Sequence, residues 1–302
     1  MSDTLSITAP AKVNLALSVG TPDADTGMHP ICSWMVTVDL VDDLSLVQLD
    51  PESLSRYAVL WHDDAPVRTE IDWSITDDLA VRAHLALEQH VGHALPVQMT
   101  LRKRIPVGSG LGGGSADAAA MLRACNAMFN LQLDSRILSD IALALGSDVP
   151  FMVHGGSATV QATGGDVTVH DSLPNMHIVL VLPDATCSTA AVYRRFDDTA
   201  SDATAVHADR VADVRAGVAP LFNDLAASAC LEAPVIAHLS TAIESLVHRT
   251  VHVSGSGSTV FLTCDTALEA TAMAHAIASE FDVPTLAVSP VCASSADETR
   301  SP

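Results

Sequence analysis

Lysine is almost absent from this 302-residue sequence, which contains only Lys12 and Lys103. Arginine supplies the other basic residues, and the 15 basic residues are outnumbered by 36 acidic ones, so that the formal net charge is −21. This balance argues against a general nucleic-acid binder, which needs a basic surface, and against a protein that docks on anionic lipid. The excess of acid is expected to serve solubility. The two lysines that remain both fall in motifs described below.

Long apolar runs and closely spaced cysteines are missing as well. The longest apolar stretch, around residues 177–182, has the length of a strand, whereas a membrane-spanning helix needs about 18 residues. The N-terminus shows no charged segment followed by an apolar one, as a secretion signal would. The six cysteines are scattered and form no CxxC pair, which predicts reduced cysteines in a core. These absences predict a cytoplasmic protein.

The length of the chain and the order of its predicted strands and helices favour an α+β fold of two domains. Apolar residues make up 48% of a chain that is long enough for two cores. Alternation over residues 5–19 predicts a half-buried strand with Lys12 and Asn14 on its polar face. The second half places strands and helices in the order of a ferredoxin-like split βαβ unit. The predicted boundary therefore separates residues 1–168 from residues 169–302.

The predicted elements follow from the period of the apolar residues and from the residues that begin and end helices. Strands are predicted over 5–19, 34–40, 44–49, 56–62, 97–103, 151–154, 157–162, 166–170, 177–182, 250–253, 259–263 and 284–289, with a turn at 41–43. Helices are predicted from the N-cap Thr76 to Gly92, from near Ser115, from the N-cap Asp134 to Gly146, and over 188–196, 209–227, 233–247 and 265–281. The tail 293–302 is expected to be frayed.

A glycine-rich stretch between a strand and a helix is the strongest functional signal. Residues 101–117 read LRKRIPVGSGLGGGSAD, with five glycines between positions 108 and 114. Because glycine has no Cβ, such a loop can bring backbone N–H groups close to phosphate oxygens, and the start of the following helix favours an anion. Arg102, Lys103 and Arg104 concentrate positive charge immediately before the loop. The stretch therefore predicts a phosphate-binding site.

Two common nucleotide-binding patterns fit this loop poorly. A Walker A loop needs a lysine after the glycines, and none follows here. The dinucleotide pattern GxGxxG is present at Gly108, Gly110 and Gly113, with Asp134 about 20 residues further on, which leaves an NAD-dependent oxidoreductase as an alternative. The context argues against it, because Asp134 is predicted to begin a second helix and no strand intervenes.

Two further motifs are ambiguous when taken alone. The segment GSDVPF at 146–151 places Asp148 in a predicted tight turn between a helix and a strand, where an isolated acid is most simply a turn residue. The segment SGSGST at 254–259 lies between two predicted strands. It is either a flexible hairpin tip or a place where small residues let a ligand approach the backbone.

Taken together, these stretches resemble the GHMP kinase superfamily from residue 8 to about residue 265. PAKVNL at 10–15 is similar to the family's first motif, and PVGSGLGGGSAD at 106–117 is similar to its ATP loop. GSDVPF is similar to its catalytic turn, and Asn223-Asp224-Leu225 and SGSGST also fit. The triple glycine of the ATP loop is more like the branch that acts on a cytidine diphosphate ester than like the homoserine and mevalonate kinases.

The resemblance implies an α+β fold in which a first domain, like domain 2 of ribosomal protein S5, and a second, ferredoxin-like domain meet at a deep cleft. It implies an ATP-dependent kinase that phosphorylates the 2-hydroxyl of 4-(cytidine 5'-diphospho)-2-C-methyl-D-erythritol in the non-mevalonate (MEP) route to isoprenoid precursors. ATP and Mg²⁺ are the implied cofactors. Another kinase of the superfamily with a different alcohol substrate is an alternative, and both a monomer and a homodimer are compatible with the sequence.

The resemblance also implies the roles of individual residues. Asp148 would take the proton of the acceptor hydroxyl, and Lys12 would orient Asp148 and stabilise charge on the transferring phosphoryl group. Asn14, Met28 and His29 would bind the substrate, and Ser115 would contact phosphate or Mg²⁺. The implied ATP-binding residues are Pro106, Val107, Gly108, Ser109, Gly110, Leu111, Gly112, Gly113, Gly114, Ser115 and Ala116.

The loop after the first strand departs from the family pattern. The family usually shows Asp-Gly-Tyr-His-Glu, whereas this chain has Thr26-Gly27-Met28-His29-Pro30. The resemblance implies that His29 hydrogen-bonds the cytosine, and Met28 stands where a tyrosine would stack on the base. A thioether can cover a ring face, with less contact area. The loop therefore specifies the alcohol substrate less strongly than the other motifs specify a kinase.

Overall fold

The computed structural model describes residues 4–199, 205–292 and 299–301 of the chain. Within these residues the strands are β1 (Thr4–Val19), β2 (Ile31–Gln48), β3 (Arg56–Trp61), β4 (Val97–Lys103), β5 (Ser157–Ala162), β6 (Asp166–His170), β7 (His177–Val181), β8 (Phe222–Asn223), β9 (His252–Val253), β10 (Val260–Cys264), β11 (Thr285–Val288) and β12 (Thr299–Ser301). The helices are α1 (Leu79–Val91), α2 (Gly113–Met128), α3 (Ser135–Leu143), α4 (Val149–His154), α5 (Thr189–Thr199), α6 (Ala208–Arg215), α7 (Ala226–Glu232), α8 (Pro234–Val247) and α9 (Ala267–Phe281).

The strands form two sheets, and the mixture of helix and sheet confirms the predicted α+β class. In the larger sheet the strands follow the order β12-β1-β2-β4-β3, while β5 pairs with β2 and β6, and β8 pairs with β1. The smaller sheet has the antiparallel order β11-β7-β10-β9, as a ferredoxin-like split βαβ unit would. The domain boundary after residue 168 stays a prediction, and β8 joins the larger sheet from the second half of the chain.

Strand β1 is buried along most of its length, so the prediction of a half-buried strand is wrong. Two register shifts against β2, the first between Pro10 and Ala11, turn its side chains from one face of the sheet to the other. Consequently Ile7 lies in one hydrophobic cluster and Val13 in the other, although both have odd positions in the strand. The polar side chains of Lys12, Asn14 and Ser18 are enclosed by protein, whereas Thr8 near the start of the strand is exposed.

Strand β2 is continuous, although the sequence predicts two strands joined by a turn at 41–43. Asp42 is fully buried within it. Its carboxylate accepts hydrogen bonds from the ammonium of Lys103 at 2.6 Å and from the backbone N–H of Ile105 at 2.8 Å. An aspartate with such partners can stay inside a strand, and those partners lie too far along the sequence for a local pattern to show them.

Two helical segments also differ from the prediction. Residues 151–154, predicted as a strand, belong to α4, because a short apolar run does not distinguish a strand from a helix. Pro150 lies in the first turn of α4, where proline is tolerated. The predicted helix 209–227 is divided into α6, β8 and α7, since Gly217 takes a φ of 73° and Pro220 follows it.

The helix ends are partly as predicted. Gly92 ends α1 in the left-handed conformation, and the Asp134 side chain caps α3. Asp78, rather than Thr76, caps α1, because a 3₁₀ turn precedes that helix. Helix α2 begins at Gly113, two residues earlier than expected. No strand lies between α2 and α3, so the context that argued against a dinucleotide fold is confirmed within the described residues.

Within the described residues, no single helix has both the length and the apolarity to cross a membrane. The adjoining helices α7 and α8, which meet at 117°, reach that length and apolarity only as a pair. Of the tail predicted to fray, residues 293–298 and 302 lie outside the described residues, whereas β12 pairs with β1.

Candidate active site

A cavity of about 500 Å³ joins the motifs that the sequence analysis singles out. It is bounded by β1, by the glycine-rich loop and the start of α2, by the turn that carries Asp148, by the start of α5, and by Gly255 and Ser256. A volume of this order suits a small-molecule ligand. Segments that are far apart in the sequence therefore form one site.

The phosphate loop, defined here as residues 106–112, takes a conformation that depends on glycine. Gly108, Gly110 and Gly112 have φ values of 67°, 79° and 68°, in a region that side chains with a Cβ rarely adopt. Helix α2 begins immediately afterwards, with the unpaired N–H groups of its first turn. All of the predicted ATP-binding residues line the cavity except Leu111 and Ala116, which are buried in the hydrophobic clusters.

Lys12 and Asp148 meet in this cavity. Lys12 is 3% exposed, and its Nζ lies 3.5 Å from Oδ2 of Asp148. The same Nζ donates to Oδ1 of Asn14 at 2.5 Å, and Nδ2 of Asn14 donates to Oγ of Ser33 at 2.9 Å. Asp148 precedes α4 without capping it, and its side chain is 29% exposed. The strand side chains therefore orient the lysine, while the carboxylate of Asp148 is accessible to a ligand.

The segment 254–259 packs on the phosphate loop, so it is not a free hairpin tip. Oγ of Ser254 donates to the carbonyl oxygen of Gly110 at 3.2 Å. A Cβ on Gly110 would collide with the carbonyl oxygen of Ser254, so only glycine permits this approach. A Cβ on Gly255 would lie 3.0 Å from Nζ of Lys12. The segment therefore lies directly against the ammonium of Lys12.

Asn223 and Asp224 fasten this segment to the larger sheet. Nδ2 of Asn223 donates to the carbonyl oxygens of Val253 and Gly255, at 2.8 and 2.7 Å. Oδ2 of Asp224 accepts a hydrogen bond from the backbone N–H of Val19, at 3.0 Å. The sequence analysis included this pair in a family motif without assigning it a role. The structure shows that it joins the end of β1 to the segment beside Lys12.

Neither arginine before the phosphate loop lines the cavity. Arg104 Nη1 lies 2.8 Å from Oδ2 of Asp43, and its Nε lies 2.6 Å from Oδ1 of Asp64. Arg102 is exposed and does not line the cavity. The positive charge that these two residues concentrate in the sequence therefore does not reach the cavity, because Arg104 is paired with two aspartates and Arg102 is exposed.

Lys103 does line the cavity, but it is tightly paired. Its Nζ lies 2.6 Å from Oδ2 of Asp42 and contacts Oδ2 of Asp117. Burial lowers the pKa of Lys103, but the charges of Asp117 and Asp42 outweigh burial and raise that pKa above its ordinary value. Burial raises the pKa of Asp117 well above its usual range, against the opposing charge of Lys103. The three residues form one buried ionic group.

The three predicted substrate residues are placed differently. Asn14 lines the cavity, whereas Met28 is 49% exposed and does not. His29 lies outside the cavity lining and packs against Tyr193 of α5, with ring centroids 4.8 Å apart. Tyr193 itself lines the cavity. Burial and then the nearby charge of Asp148 raise the pKa of Tyr193 to about 12, so its phenol stays neutral at ordinary pH.

Both ring nitrogens of His29 already face acceptors. Nδ1 lies 2.8 Å from the carbonyl oxygen of Gly20, and Nε2 lies 3.4 Å from Oδ1 of Asp197. A carbonyl oxygen only accepts, so Nδ1 carries the proton in that contact. Both ring nitrogens are therefore engaged within the protein, and the ring packs against Tyr193. Tyr193 is a functional candidate that sequence reasoning missed, although aromatic residues make up only 4% of the chain.

An apolar group of cavity residues was also missed by the sequence reasoning. Trp73, Leu79 and Val107 line the cavity beside the phosphate loop. Nε1 of Trp73 donates to Oδ2 of Asp78 at 3.2 Å, which fixes the indole next to the cap of α1. Trp73 is one of only three tryptophans, and it stands in a polar segment before a helix. Its ring offers apolar surface to the cavity, while its N–H group has a hydrogen-bond partner in the protein.

The charges that bound the cavity are mostly negative. Among the described residues that line it are two lysines, Lys12 and Lys103, and four aspartates, Asp77, Asp78, Asp117 and Asp148. Across the part of the chain that the structure describes, no cluster of three or more His, Cys, Asp or Glu side chains could hold a metal ion. Ser115 contributes a hydroxyl to the lining in the first turn of α2.

Comparison with known proteins agrees with the motifs. Residues 78–156 match the family model described as the GHMP kinases N terminal domain. The chain is 33% identical over 288 residues to a protein of Pseudarthrobacter chlorophenolicus named 4-diphosphocytidyl-2-C-methyl-D-erythritol kinase, which covers 90% of this chain and 88% of that protein. A protein of the same name from an Anaeromyxobacter species is 37% identical over 278 residues, covering 90% of this chain and 86% of that protein.

Solved structures show the same relationship. A crystal structure of 4-(cytidine 5'-diphospho)-2C-methyl-D-erythritol kinase matches with a TM-score of 0.73 and 28% identity, over 94% of this chain and 98% of that chain. A homoserine kinase from Cytophaga hutchinsonii matches with a TM-score of 0.69 and 17% identity, over 97% of this chain and 96% of that chain. The second match concerns the fold alone.

Proposed function

This chain belongs to the GHMP kinases and, within them, to the family of the 4-diphosphocytidyl-2-C-methyl-D-erythritol kinases, and we propose that its cavity is where ATP phosphorylates the 2-hydroxyl of 4-(cytidine 5'-diphospho)-2-C-methyl-D-erythritol. This reaction belongs to the non-mevalonate (MEP) route to isoprenoid precursors. The observation that carries the proposal is the pair Lys12 and Asp148, 3.5 Å apart in one cavity with the phosphate loop. Phosphoryl transfer needs a phosphate cradle, a neutralising cation and a group that receives the hydroxyl proton.

Asp148 is the base in this proposal. Its carboxylate is partly exposed and is not used to cap α4. Lys12 contacts Oδ2, so Oδ1 is left to the hydroxyl of the acceptor. A positioned carboxylate of this kind typically contributes about 10²–10⁴-fold to the rate of a proton transfer step.

Lys12 and the phosphate loop together stabilise the transferring phosphoryl group. The ammonium of Lys12 is a compact charge that Asn14 holds in place. The loop supplies backbone N–H groups, and the first turn of α2 adds the positive end of the helix dipole. Once ATP and the alcohol displace water from the cavity, these electrostatic contributions are stronger than they would be in solution.

The two nucleosides are assigned to different parts of the cavity lining. The apolar group Trp73, Leu79 and Val107 adjoins the phosphate loop and suits the adenine of ATP. Tyr193 lines the cavity near Asp148 and supplies a ring face for the cytosine, with His29 packed behind it. This assignment gives the stacking role to α5 and leaves Met28 at the exposed margin of the site.

Mg²⁺ fits the charge balance of the cavity. Lys103 is matched by Asp42 and Asp117, so Lys12 is the cation of the described lining that remains for the triphosphate. Mg²⁺ is usually held by one or two protein oxygens together with phosphate oxygens. The hydroxyl of Ser115, in the first turn of α2, would hold the ion together with the nucleotide. When bound, the ion supplies the positive charge that the protein lacks there.

Release of ADP in a coupled assay tests the proposal. Wild-type protein is offered ATP and a panel of alcohols that includes the cytidylated methylerythritol, homoserine and mevalonate, with the Asp148→Asn variant as the control for contaminating activity. We expect turnover with the cytidylated alcohol and its loss when EDTA removes Mg²⁺. Turnover with another alcohol alone would contradict the proposed substrate but would support the assignment as a kinase. Binding of NAD but not ATP in isothermal titration would reject the kinase as well.

A further inference from the structure

An ion pair joins the residues on either side of the phosphate loop. Lys103 is the last residue of β4, before the loop, and Asp117 lies in α2, after it. The ammonium of Lys103 contacts Oδ2 of Asp117 and lies 2.6 Å from Oδ2 of Asp42 on β2. All three side chains are almost completely buried. The contacts therefore close residues 103–117 into a ring with an ion pair as its closure.

Asp42 also holds the backbone at the start of the ring. Its Oδ1 accepts hydrogen bonds from the N–H groups of Arg104 and of Ile105, the latter at 2.8 Å. The side chain of Ile105 packs directly against Gly113, where a Cβ would lie 2.8 Å from Cγ2 of the isoleucine. The residues that flank the phosphate loop, Ile105 before it and Gly113 after it, are thus in contact through the isoleucine side chain.

We propose that Lys103 is a positioning residue of the ATP site, which with Asp42 and Asp117 closes the phosphate loop into a ring and does not contact the nucleotide. The inference rests on the proposed function, because it concerns how that site receives ATP. A loop with five glycines between positions 108 and 114 loses much conformational entropy when it is ordered. A closure that orders the loop before ATP arrives lowers the cost of binding.

The charges of the ring argue against direct contact with phosphate. Lys103 faces two aspartates, so the group as a whole offers no positive charge to an anion. The opposite role, in which Lys103 leaves its aspartates to bind a phosphate, would require two buried carboxylates to lose their cation. Losing one partner of a buried ion pair is strongly destabilising.

The two aspartates differ in a way that an experiment can use. Both oxygens of Asp42 accept hydrogen bonds, from one ammonium and two backbone N–H groups. Asp117 uses Oδ2 alone, and its buried Oδ1 has no hydrogen-bond partner. The change Asp42→Asn therefore turns an N–H₂ group toward a donor, whereas Asp117→Asn can place its N–H₂ group where Oδ1 had no partner.

Isothermal titration of ATP with Mg²⁺, without the alcohol, tests the role of the ring. For Asp42→Asn we expect ATP affinity to fall about tenfold or more, because the loop is no longer pre-organised. Affinity for the cytidylated alcohol, titrated separately, should stay within about twofold, since no part of the ring contacts it. The matched control is Asp43→Asn, the neighbouring and partly exposed aspartate that pairs with Arg104, which should keep wild-type affinity for both.

Two further measurements test whether the ring orders the loop. Amide hydrogen exchange over residues 104–114 should be faster in Asp42→Asn than in Asp43→Asn, which reports on the loop without any ligand. Asp117→Asn, the milder change, should not tighten ATP binding. Tighter ATP binding in either ring variant would show that the aspartates restrain a lysine that contacts phosphate, and would overturn the proposal, as would unchanged ATP affinity and exchange in Asp42→Asn. If wild-type protein fails to bind ATP, the proposed function fails, and the exchange comparison still decides whether the ring orders the loop.

Discussion

The two lysines of the chain line the same cavity, yet the regions around them are built for different purposes. Around Lys12 there is one aspartate, 3.5 Å away and partly exposed, and a neutral amide that accepts a hydrogen bond. Around Lys103 there are two buried aspartates in direct contact. In the first region the positive charge of Lys12 is available to a ligand. In the second region the two aspartates neutralise the positive charge of Lys103.

The difference shows why burial alone does not identify a catalytic cation. Both lysines are 3% exposed, so their accessibility is the same. What separates them is the number of carboxylates within reach and whether those carboxylates are themselves open to the cavity. A buried cation matched by buried anions stabilises a local structure, whereas one matched by a partly open anion can act on a substrate.

The largest expected effect concerns the open aspartate beside Lys12. Asp148→Asn keeps the shape of the side chain and removes its ability to take a proton. We expect kcat to fall by about 10²–10⁴-fold, with ATP affinity nearly unchanged. Steady-state kinetics with the cytidylated alcohol and isothermal titration with ATP measure the two quantities. Turnover close to wild type would remove Asp148 from the mechanism and with it the functional contrast between the two regions.

Replacement of Lys103 should lower the free energy of unfolding more than replacement of Lys12 does. Lys103→Met leaves Asp42 and Asp117 without their cation, and we expect the free energy of unfolding to fall by about 3–5 kcal/mol. Lys12→Met leaves the amide oxygen of Asn14 without its donor, and we expect a smaller loss of about 1–3 kcal/mol. Urea unfolding of both variants gives the comparison. Equal losses would mean that the two regions do not differ in the way their charges suggest.

Glycine substitutions sharpen the description of the region around Lys12. An alanine at Gly108 or Gly110 takes a positive φ that costs about 1–2 kcal/mol. At Gly110 the Cβ would also lie 2.8 Å from the carbonyl oxygen of Gly257, whereas at Gly108 nothing lies within 4 Å. We therefore expect Gly110→Ala to lose about 1–3 kcal/mol more unfolding free energy than Gly108→Ala, from overpacking. Similar losses would argue that the segment 254–259 does not rest on the phosphate loop in solution.

The smallest expected effects concern the cytosine, where no lysine takes part. Tyr193→Leu removes a ring–ring contact worth roughly 0.5–1.5 kcal/mol, so affinity for a cytidine nucleotide should fall by about tenfold or less. Met28→Tyr adds a ring at an exposed position and should change that affinity by about tenfold or less. Competition binding measures both. Unchanged affinity in Tyr193→Leu would place the cytosine elsewhere.

Local motifs account for the parts of the site that the sequence analysis predicted. The motifs at 10–15 and 106–117 are each contiguous in the sequence. The strand with Lys12 and the phosphate loop could therefore be recognised without the fold. The motif around Asp148 is ambiguous when taken alone, and its expected role beside Lys12 came from the family resemblance. The fold brings the two side chains to 3.5 Å, and the turn of Asp148 precedes a helix rather than the predicted strand.

Residues whose partners are distant in the sequence escaped prediction. The partner of Lys103 on β2, Asp42, lies 61 residues away, and was predicted to form a turn. Asn223 holds a segment about thirty residues further on. Tyr193 and Trp73 sit on elements whose orientation depends on the packing of the whole molecule. Such contacts are set by tertiary structure, and local periodicity does not contain them.

The rate of phosphoryl transfer in Lys12→Met, measured in a single turnover at saturating ATP and cytidylated alcohol, tests the central contrast most directly. The loss of one preorganised donor to a developing charge typically costs about 10²–10³-fold in rate, and we expect a loss of that size while ATP still binds. The same measurement on Asp117→Asn, in the enclosed region, should change the rate far less. A Lys12→Met variant that transfers phosphate at the wild-type rate would contradict the assignment of chemistry to Lys12.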